Sequence, residues 1–228
     1  MMRHKNFACF ILTHGRPNNQ KTLHTLKKCG YTGKTYLIID NEDLSQDEYK
    51  AKYENVIVFD KEKAANITDR GDIIQKKNVV VFARNMCHEI ATDLGLEYFL
   101  ELDDDYDSLR YRYNDGEKLA HKYVEKADDV FDIFLDFLDV SNAKAVCFGQ
   151  SGDYLGGIRD FHNRQIMRKA MNSFFCRTDR PFKFVGRINE DVNAYVVLGH
   201  QGKILFTLGD ISVNQEETQQ NAGGLTDS

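Results

Sequence analysis

At 228 residues, with 30 lysines and arginines against 35 aspartates and glutamates, the chain has the length and balance of one sizeable α/β domain. A net charge of −5 argues against a protein that coats nucleic acid non-specifically, and no run of about 18 uncharged apolar residues is present to cross a membrane. Five scattered cysteines without a CxxC pair argue against a zinc site or disulfide framework, and without a signal-peptide core the chain is expected in the cytoplasm.

The first half alternates strand and helix signals, the pattern of a mainly parallel central sheet flanked by helices. Phe7 to Thr13 reads as a buried strand, followed by the loop His14-Gly15-Arg16-Pro17-Asn18-Asn19. A helix from about Gln20 to Cys29 follows, with Asn18 or Asn19 as its N-cap. Thr35 to Ile39 forms a second strand running into Asp40, Tyr49 to Tyr53 a short helix, and Asn55 to Phe59 a third strand. Asp60 to Lys77 is polar and lacks periodicity, so it reads as a long loop. Val79 to Asp93 places Ala83, Met86, Cys87, Ile90 and Ala91 on one helical face, although Val79-Val80-Val81 also suits a short strand. Tyr98 to Leu102 is a buried strand delivering Asp103-Asp104-Asp105, and Tyr106 to Tyr113 is an edge strand or a turn.

Further on, a long helix is predicted from about Leu119 to Leu138, and a second from Asp191 to Leu198. Strands are predicted at Ala143 to Phe148, Ser173 to Cys176 and Ile204 to Leu208, with a glycine-marked flexible loop from Gly149 to Gly157. One domain, residues 1–213, is expected, residues 1–110 forming one half and 111–213 the other, with 214–228 as a polar tail.

The sharpest chemical signal is Leu100-Glu101-Leu102-Asp103-Asp104-Asp105. Three adjacent carboxylates ending an apolar strand repel one another unless a cation or water screens them. Ligands bind at the carboxyl ends of strands in open parallel sheets. Carboxylate and phosphate oxygens suit Mg²⁺ or Mn²⁺, so Asp103 and Asp105 are candidate ligands beside a substrate's phosphates. Asp40, also at a strand end, is a candidate for a base or ribose. Arg16 and Thr13 are candidates for a phosphate, and Arg84 on its apolar helix must find an anion or reach solvent. The basic segment from Arg159 to Arg187, including Arg164 and Arg168, offers either a polyanion-facing surface or a solvated face.

Together these pieces resemble GT-A glycosyltransferases, whose fold is a Rossmann-like α/β domain. The residues that carry the resemblance are Ile11-Leu12-Thr13-His14-Gly15-Arg16-Pro17, Ile38-Ile39-Asp40, Ala83-Arg84-Asn85, Leu102-Asp103-Asp104-Asp105 and Gly186-Arg187-Ile188-Asn189-Glu190-Asp191-Val192-Asn193. The stretch from Gln215 to Gly224 is similar to the TET-associated glycosyltransferases, phage-type enzymes that decorate hydroxymethylated pyrimidines in DNA. The resemblance implies a nucleotide-sugar donor, expected to be a UDP-sugar. Asp40 would contact the nucleoside, Thr13, Arg16, Arg84, Asp103 and Asp104 would line the donor site, and Asp103 and Asp105 would hold Mn²⁺ or Mg²⁺. Family members often add a ligand from the C-terminal half, for which His162 and His200 are the candidates.

Glycosyl transfer builds negative charge on the departing diphosphate and needs a base for the acceptor hydroxyl. Glu190 and Asp191 at a helix start are the candidate bases, although both residue types also serve there as caps. A DNA acceptor would bring phosphates to Arg159, Arg164, Arg168 and Arg187, and its base would have to leave the stack. A protein or glycan acceptor remains the alternative. Two other classes stand beside the transferase: a nucleotidyltransferase, disfavoured by the single glycine in the first loop, and a silent binding module, disfavoured by the intact carboxylates.

Overall fold

The apolar runs of the first hundred residues become parallel strands: β1 (Phe7–Leu12), β2 (Lys34–Asp40), β3 (Val56–Phe59) and β4 (Tyr98–Asp103). β1 is buried along its whole length because β2 and β4 flank it and helices cover both faces. Successive side chains of a strand point to opposite faces. Phe7, Cys9 and Ile11 therefore enter one core while Ala8, Phe10 and Leu12 enter the other. The first core packs against α1 (Lys21–Lys28), α2 (Gln46–Lys52) and α5 (Ala127–Ser141). The second packs against α3 (Lys61–Ile67), α4 (Val81–Asp93) and α7 (Glu190–His200). The computed structural model describes residues 2–72, 79–163 and 169–215.

The second half adds β5 (Tyr106–Asn114), β6 (Leu119–Tyr123), β7 (Ala145–Gln150), β8 (Ser173–Arg177) and β9 (Leu205–Gln215), with α6 (Gly157–Asn163) between β7 and β8. All nine strands form one sheet in the order β3-β2-β1-β4-β8-β7-β9-β5-β6. β7 and β9 are parallel, whereas β8 runs antiparallel to β4 and β7, and β5 antiparallel to β6 and β9. The parallel sheet expected from the sequence is thus joined to a mixed one.

The order contains a geometric demand. β4 and β5 are joined by only Asp104 and Asp105, yet three strands lie between them in the sheet. Four inter-strand steps span about 19 Å in a flat sheet. The three Cα–Cα links from Asp103 to Tyr106 reach at most about 11 Å. The strands from β4 round to β5 therefore curl into an arc, and the acidic motif closes it.

Several expectations are corrected. The long helix predicted from Leu119 begins only at Ala127, because Leu119–Tyr123 pairs antiparallel with Arg110–Asn114 as β6. The overlooked signal is the turn Asn114-Asp115-Gly116, where Gly116 has φ 102° and the Asp115 side chain accepts from the backbone N–H of Glu117 and Lys118. The loop expected after Asp60 contains α3, capped by Asp60 through the N–H groups of Glu62 and Lys63. α1 has no side-chain cap, and Asn18 instead donates to Glu48. The glycine-marked loop holds a 3₁₀ turn at Ser151–Tyr154 and then α6. β9 runs through Asn214 and Gln215, two residues into the stretch expected to be tail. All five cysteines are buried and free. Among the described residues, no helix is long and apolar enough to cross a membrane.

Candidate active site

The carboxyl ends of β1, β2 and β4 converge, and each of the three aspartates that ends β4 or follows it has a different environment. Asp104 is buried and fully engaged. Thr13 donates to its Oδ2 at 2.6 Å and Arg16 to its Oδ1 at 2.9 Å. Tyr49 fixes that corner, its hydroxyl accepting from the Arg16 N–H at 2.8 Å and lying 3.0 Å from Thr13 Oγ1. Burial raises the Asp104 pKa, with Thr13 and Arg16 pulling the other way. Asp104 thus anchors the first loop to the end of β4.

Asp103 faces Arg84. The Arg84 Nη2 lies 2.9 Å from Asp103 Oδ1, its Nε 3.1 Å from Glu190 Oε1 and its Nη1 3.8 Å from Glu101 Oε2. The guanidinium is also sandwiched by Phe174 and Phe184, at 5.5 and 5.8 Å from their ring centroids. Arg84 is 1% exposed: the anion that its apolar helix demanded is supplied by protein carboxylates, and its charge is committed to them rather than turned to the donor site that the resemblance implied. Glu101 is wholly buried inside β4 and neither of its oxygens has a hydrogen-bond partner. Burial pushes its pKa up to about 8, against the pull of Arg84. Burial likewise pushes Asp103 up to about 7, Arg84 opposing and Asp105, Glu190 and Asp104 adding to the rise.

Asp105 is the open member. Its Oδ2 accepts from Gln215 Nε2 at 3.2 Å, while its Oδ1 is buried with no hydrogen-bond partner. Burial raises its pKa, and Asp104 adds to the rise. An acceptor-only oxygen held dry beside two more carboxylates suits a divalent cation, the natural partner for crowded carboxylates. Among the described residues no three His, Cys, Asp or Glu side chains make a ready cage, so phosphate oxygens and water would have to complete any coordination. His200 ends α7, an eleven-residue helix about 16 Å long, at the end away from Glu190. The side chain of His162 lies outside the described residues.

Asp40 ends β2 as expected but is saturated. His14 Nδ1 lies 2.7 Å from its Oδ2, and its Oδ1 accepts from Lys61 Nζ at 3.2 Å and from the Glu42 N–H at 3.0 Å. Burial opposes its ionisation, but His14 and Lys61 outweigh that and lower its pKa. His14 is half exposed, its pKa raised by the hydrogen bond to Asp40. The exposed end of this pair is therefore His14, which stood in the sequence motif without a role. Lys61, Asp43, Tyr49, Glu101 and Gln215 are further site residues that the sequence reading did not single out.

At the start of α7, Glu190 is held by Arg84, whereas Asp191 accepts from the Val192 N–H at 2.7 Å with one oxygen. Burial and the neighbouring Glu190 raise the Asp191 pKa. Asn189, just before, takes φ 54°, a left-handed conformation that asparagine tolerates and that turns the chain into the helix. Of the candidate acceptor residues, Arg187 is buried with its Nε 3.0 Å from Asp72, which corrects its expected role as an open phosphate contact. Arg159 lies exposed on α6, and Arg164 and Arg168 lie outside the described residues.

Among solved structures, the chain is similar to residues 1–349 of S. aureus TarS, with TM-score 0.48 and 12% identity over 92% of this chain and 60% of that one. It is also similar to the glucosyl-3-phosphoglycerate synthase of Mycobacterium tuberculosis, solved with Mn²⁺, uridine diphosphate and phosphoglyceric acid. There the TM-score is 0.45 and the identity 10%, over 94% of this chain and 72% of that one. A search of curated proteins gives no match. The model of one family, described as TET-Associated Glycosyltransferase, matches residues 7–224, nearly the whole sequence. The chain belongs to the TET-associated glycosyltransferase family.

Proposed function

We propose that this chain moves a sugar from a nucleotide-sugar, a UDP-sugar, to the hydroxyl of a 5-hydroxymethylpyrimidine in DNA, using Mn²⁺ or Mg²⁺. The observation that carries the donor half is the dry, unpartnered Asp105 Oδ1 beside Asp103, where a cation relieves both burial and mutual repulsion. Asp103 and Asp105 would hold the ion. When bound, it supplies positive charge for the diphosphate that leaves the sugar. Family membership supports glycosyl transfer, and the family's description supports a modified DNA base as acceptor.

The remaining roles follow from the chain's own groups. His14, oriented by Asp40, faces the nucleoside, with Lys61 balancing the local charge. Arg16, a quarter exposed and steadied by Asp104, stands at the donor's phosphate side. Asp104 itself holds the loop rather than the ligand. Asp191 takes the acceptor proton: its raised pKa makes it a stronger base than an ordinary aspartate, and Glu190 is already bound to Arg84. Arg84 is a positioning residue that ties the metal end of β4 to the base end of α7 through one guanidinium.

Calorimetry of UDP with Mn²⁺ and then with chelator, repeated on Asp105→Asn, tests the donor site. Metal-dependent binding lost in the variant is expected. UDP binding that ignores both metal and Asp105 would refute the assignment. Mass spectrometry of hydroxymethylated DNA incubated with a panel of UDP-sugars tests the acceptor, the expected product being one added sugar per modified base.

A further inference from the structure

β5 leaves the active site directly from Asp105, and its two faces differ in kind. Leu109 and Tyr111 turn into the core beneath α1 and α5. Alternation sends Ser108, Arg110 and Arg112 to the opposite face. Cross-strand register sets Tyr123 beside Arg110 and His121 beside Arg112 on β6, and Ser212 of β9 beside Arg110. The Arg110 guanidinium lies 5.2 Å over the Tyr123 ring, and that of Arg112 lies 4.7 Å over Tyr154.

Both arginines have neutral partners only. Arg110 Nε donates to Ser108 Oγ at 3.1 Å, and Arg112 Nε to Ser212 Oγ at 2.8 Å. In the amide orientation that satisfies both groups, Asn214 Oδ1 accepts from Arg110 Nη1 and Nη2 at 2.9 and 2.8 Å. Among the described residues neither arginine forms an ion pair, and Asp210 of β9 pairs with neither. Burial and the neighbouring Arg110 lower the Arg112 pKa, and burial with both arginines lowers that of His121. Two like charges are thus held side by side, stiffened by rings and hydroxyls, with no ion-paired carboxylate among the described residues. α6 packs against β6 and brings Arg159 to the same region.

We infer that the face of β5, β6 and β9 that carries the part-exposed Arg110 and Arg112 binds the sugar-phosphate backbone of the acceptor DNA. The inference rests on the DNA acceptor proposed above and says where the strand lies. Arg110 stands about 17 Å and Arg112 about 23 Å along β5 from Asp105, which suits nucleotides flanking the reacting base rather than the base itself. Half-exposed Tyr123 carries Arg110 at 5.2 Å and Lys28 Nζ at 5.7 Å from its ring centroid, which adds a third cation to this face. An acidic peptide offers the charge but neither the regular phosphate spacing nor the bases.

The test is fluorescence anisotropy of a short labelled DNA duplex against salt, on wild type, on Arg110→Gln/Arg112→Gln, and on His121→Glu. His121 is exposed, so its substitution leaves the fold intact should the double variant unfold. The double variant is expected to bind about tenfold or more weakly at low salt, with the log–log salt slope flatter by about 2 for two lost phosphate contacts. His121→Glu should weaken binding in the same direction, and Lys27→Glu, on α1, should not. Undiminished binding by both face variants of a protein that still glycosylates DNA overturns this surface alone. A wild type that neither binds nor glycosylates DNA overturns it together with the acceptor reading, and an acidic peptide competing for the face would identify the other partner.

Discussion

Arg84→Met should be among the most costly single changes in this domain. Among the described residues, Arg84 is the one cation in ion pairs with Asp103, Glu190 and Glu101, at 2.9, 3.1 and 3.8 Å. Methionine fills the aliphatic part of the space between Phe174 and Phe184 but leaves three carboxylates facing one another out of water. Removing one partner of a buried ion pair costs about 3–5 kcal/mol, because the remaining charge is uncompensated. Protonation of Glu101, whose pKa is already about 8, relieves part of that, so the lower end of the range is expected near neutral pH. With a urea m-value of about 3 kcal/mol per molar for a chain of this size, the unfolding midpoint should fall by about 1 M. Equilibrium urea unfolding followed by circular dichroism reads this directly. A double-mutant cycle with Glu190→Gln should show coupling of at least about 1 kcal/mol, since the second change removes a charge that the first left bare. A loss under about 1 kcal/mol for Arg84→Met, or additivity in the cycle, would refute the picture of one guanidinium neutralising the site.

Three further outcomes are expected. His88 is buried between Phe99 and Phe182 with neither ring nitrogen hydrogen-bonded, and burial, with Lys183 and Lys144, lowers its pKa to about 4. The unfolded chain takes up a proton below about pH 6.5 that the folded one refuses until about 4, so stability is lost as pH falls through that window, by about 2 kcal/mol at pH 5. His88→Leu should remove this acid-side loss in urea unfolding at pH 7.5 and 5, and an unchanged pH dependence would contradict it. Asp191→Asn should lower kcat by about 10²–10⁴ while leaving calorimetric UDP affinity alone; a parallel loss of UDP affinity would assign Asp191 to the donor site instead. Gln215→Leu removes the donor that holds Asp105 and should weaken Mn²⁺-dependent UDP binding by about tenfold to a hundredfold, whereas unaltered affinity would detach β9 from the donor site.

Much of the donor half was legible because its signals are local. Apolar runs ending in Asp40 and Asp103 mark buried strands and their carboxyl ends without knowledge of any partner. The Arg84 cluster was not legible in the same way, since its members lie on α4, β4 and α7 and meet only in three dimensions. One clue was available: Glu101 inside an otherwise apolar strand requires a buried cation, and Arg84 was already marked as needing an anion. β6 was hidden because Leu119–Tyr123 lacks strong alternation and merges into the helical pattern that follows, so only the Asp-Gly turn announces it. Gln215 looked like tail because polarity by itself does not distinguish the end of an interior strand from solvent; its place depends on the register of β9 against β5.

The two-residue link between β4 and β5 also acts as a phase setting. Because strand side chains repeat every two residues, adding or deleting a single residue at Asp104-Asp105 and sliding β5 along β9 by one position would exchange its faces. Arg110 and Arg112 would then point into the core beneath α5, and Leu109 and Tyr111 would be offered to solvent. The number of residues in the acidic motif thus fixes more than its carboxylates. It decides which side of the sheet is charged, and a variant lengthened there should fail to fold before its chemistry can be measured.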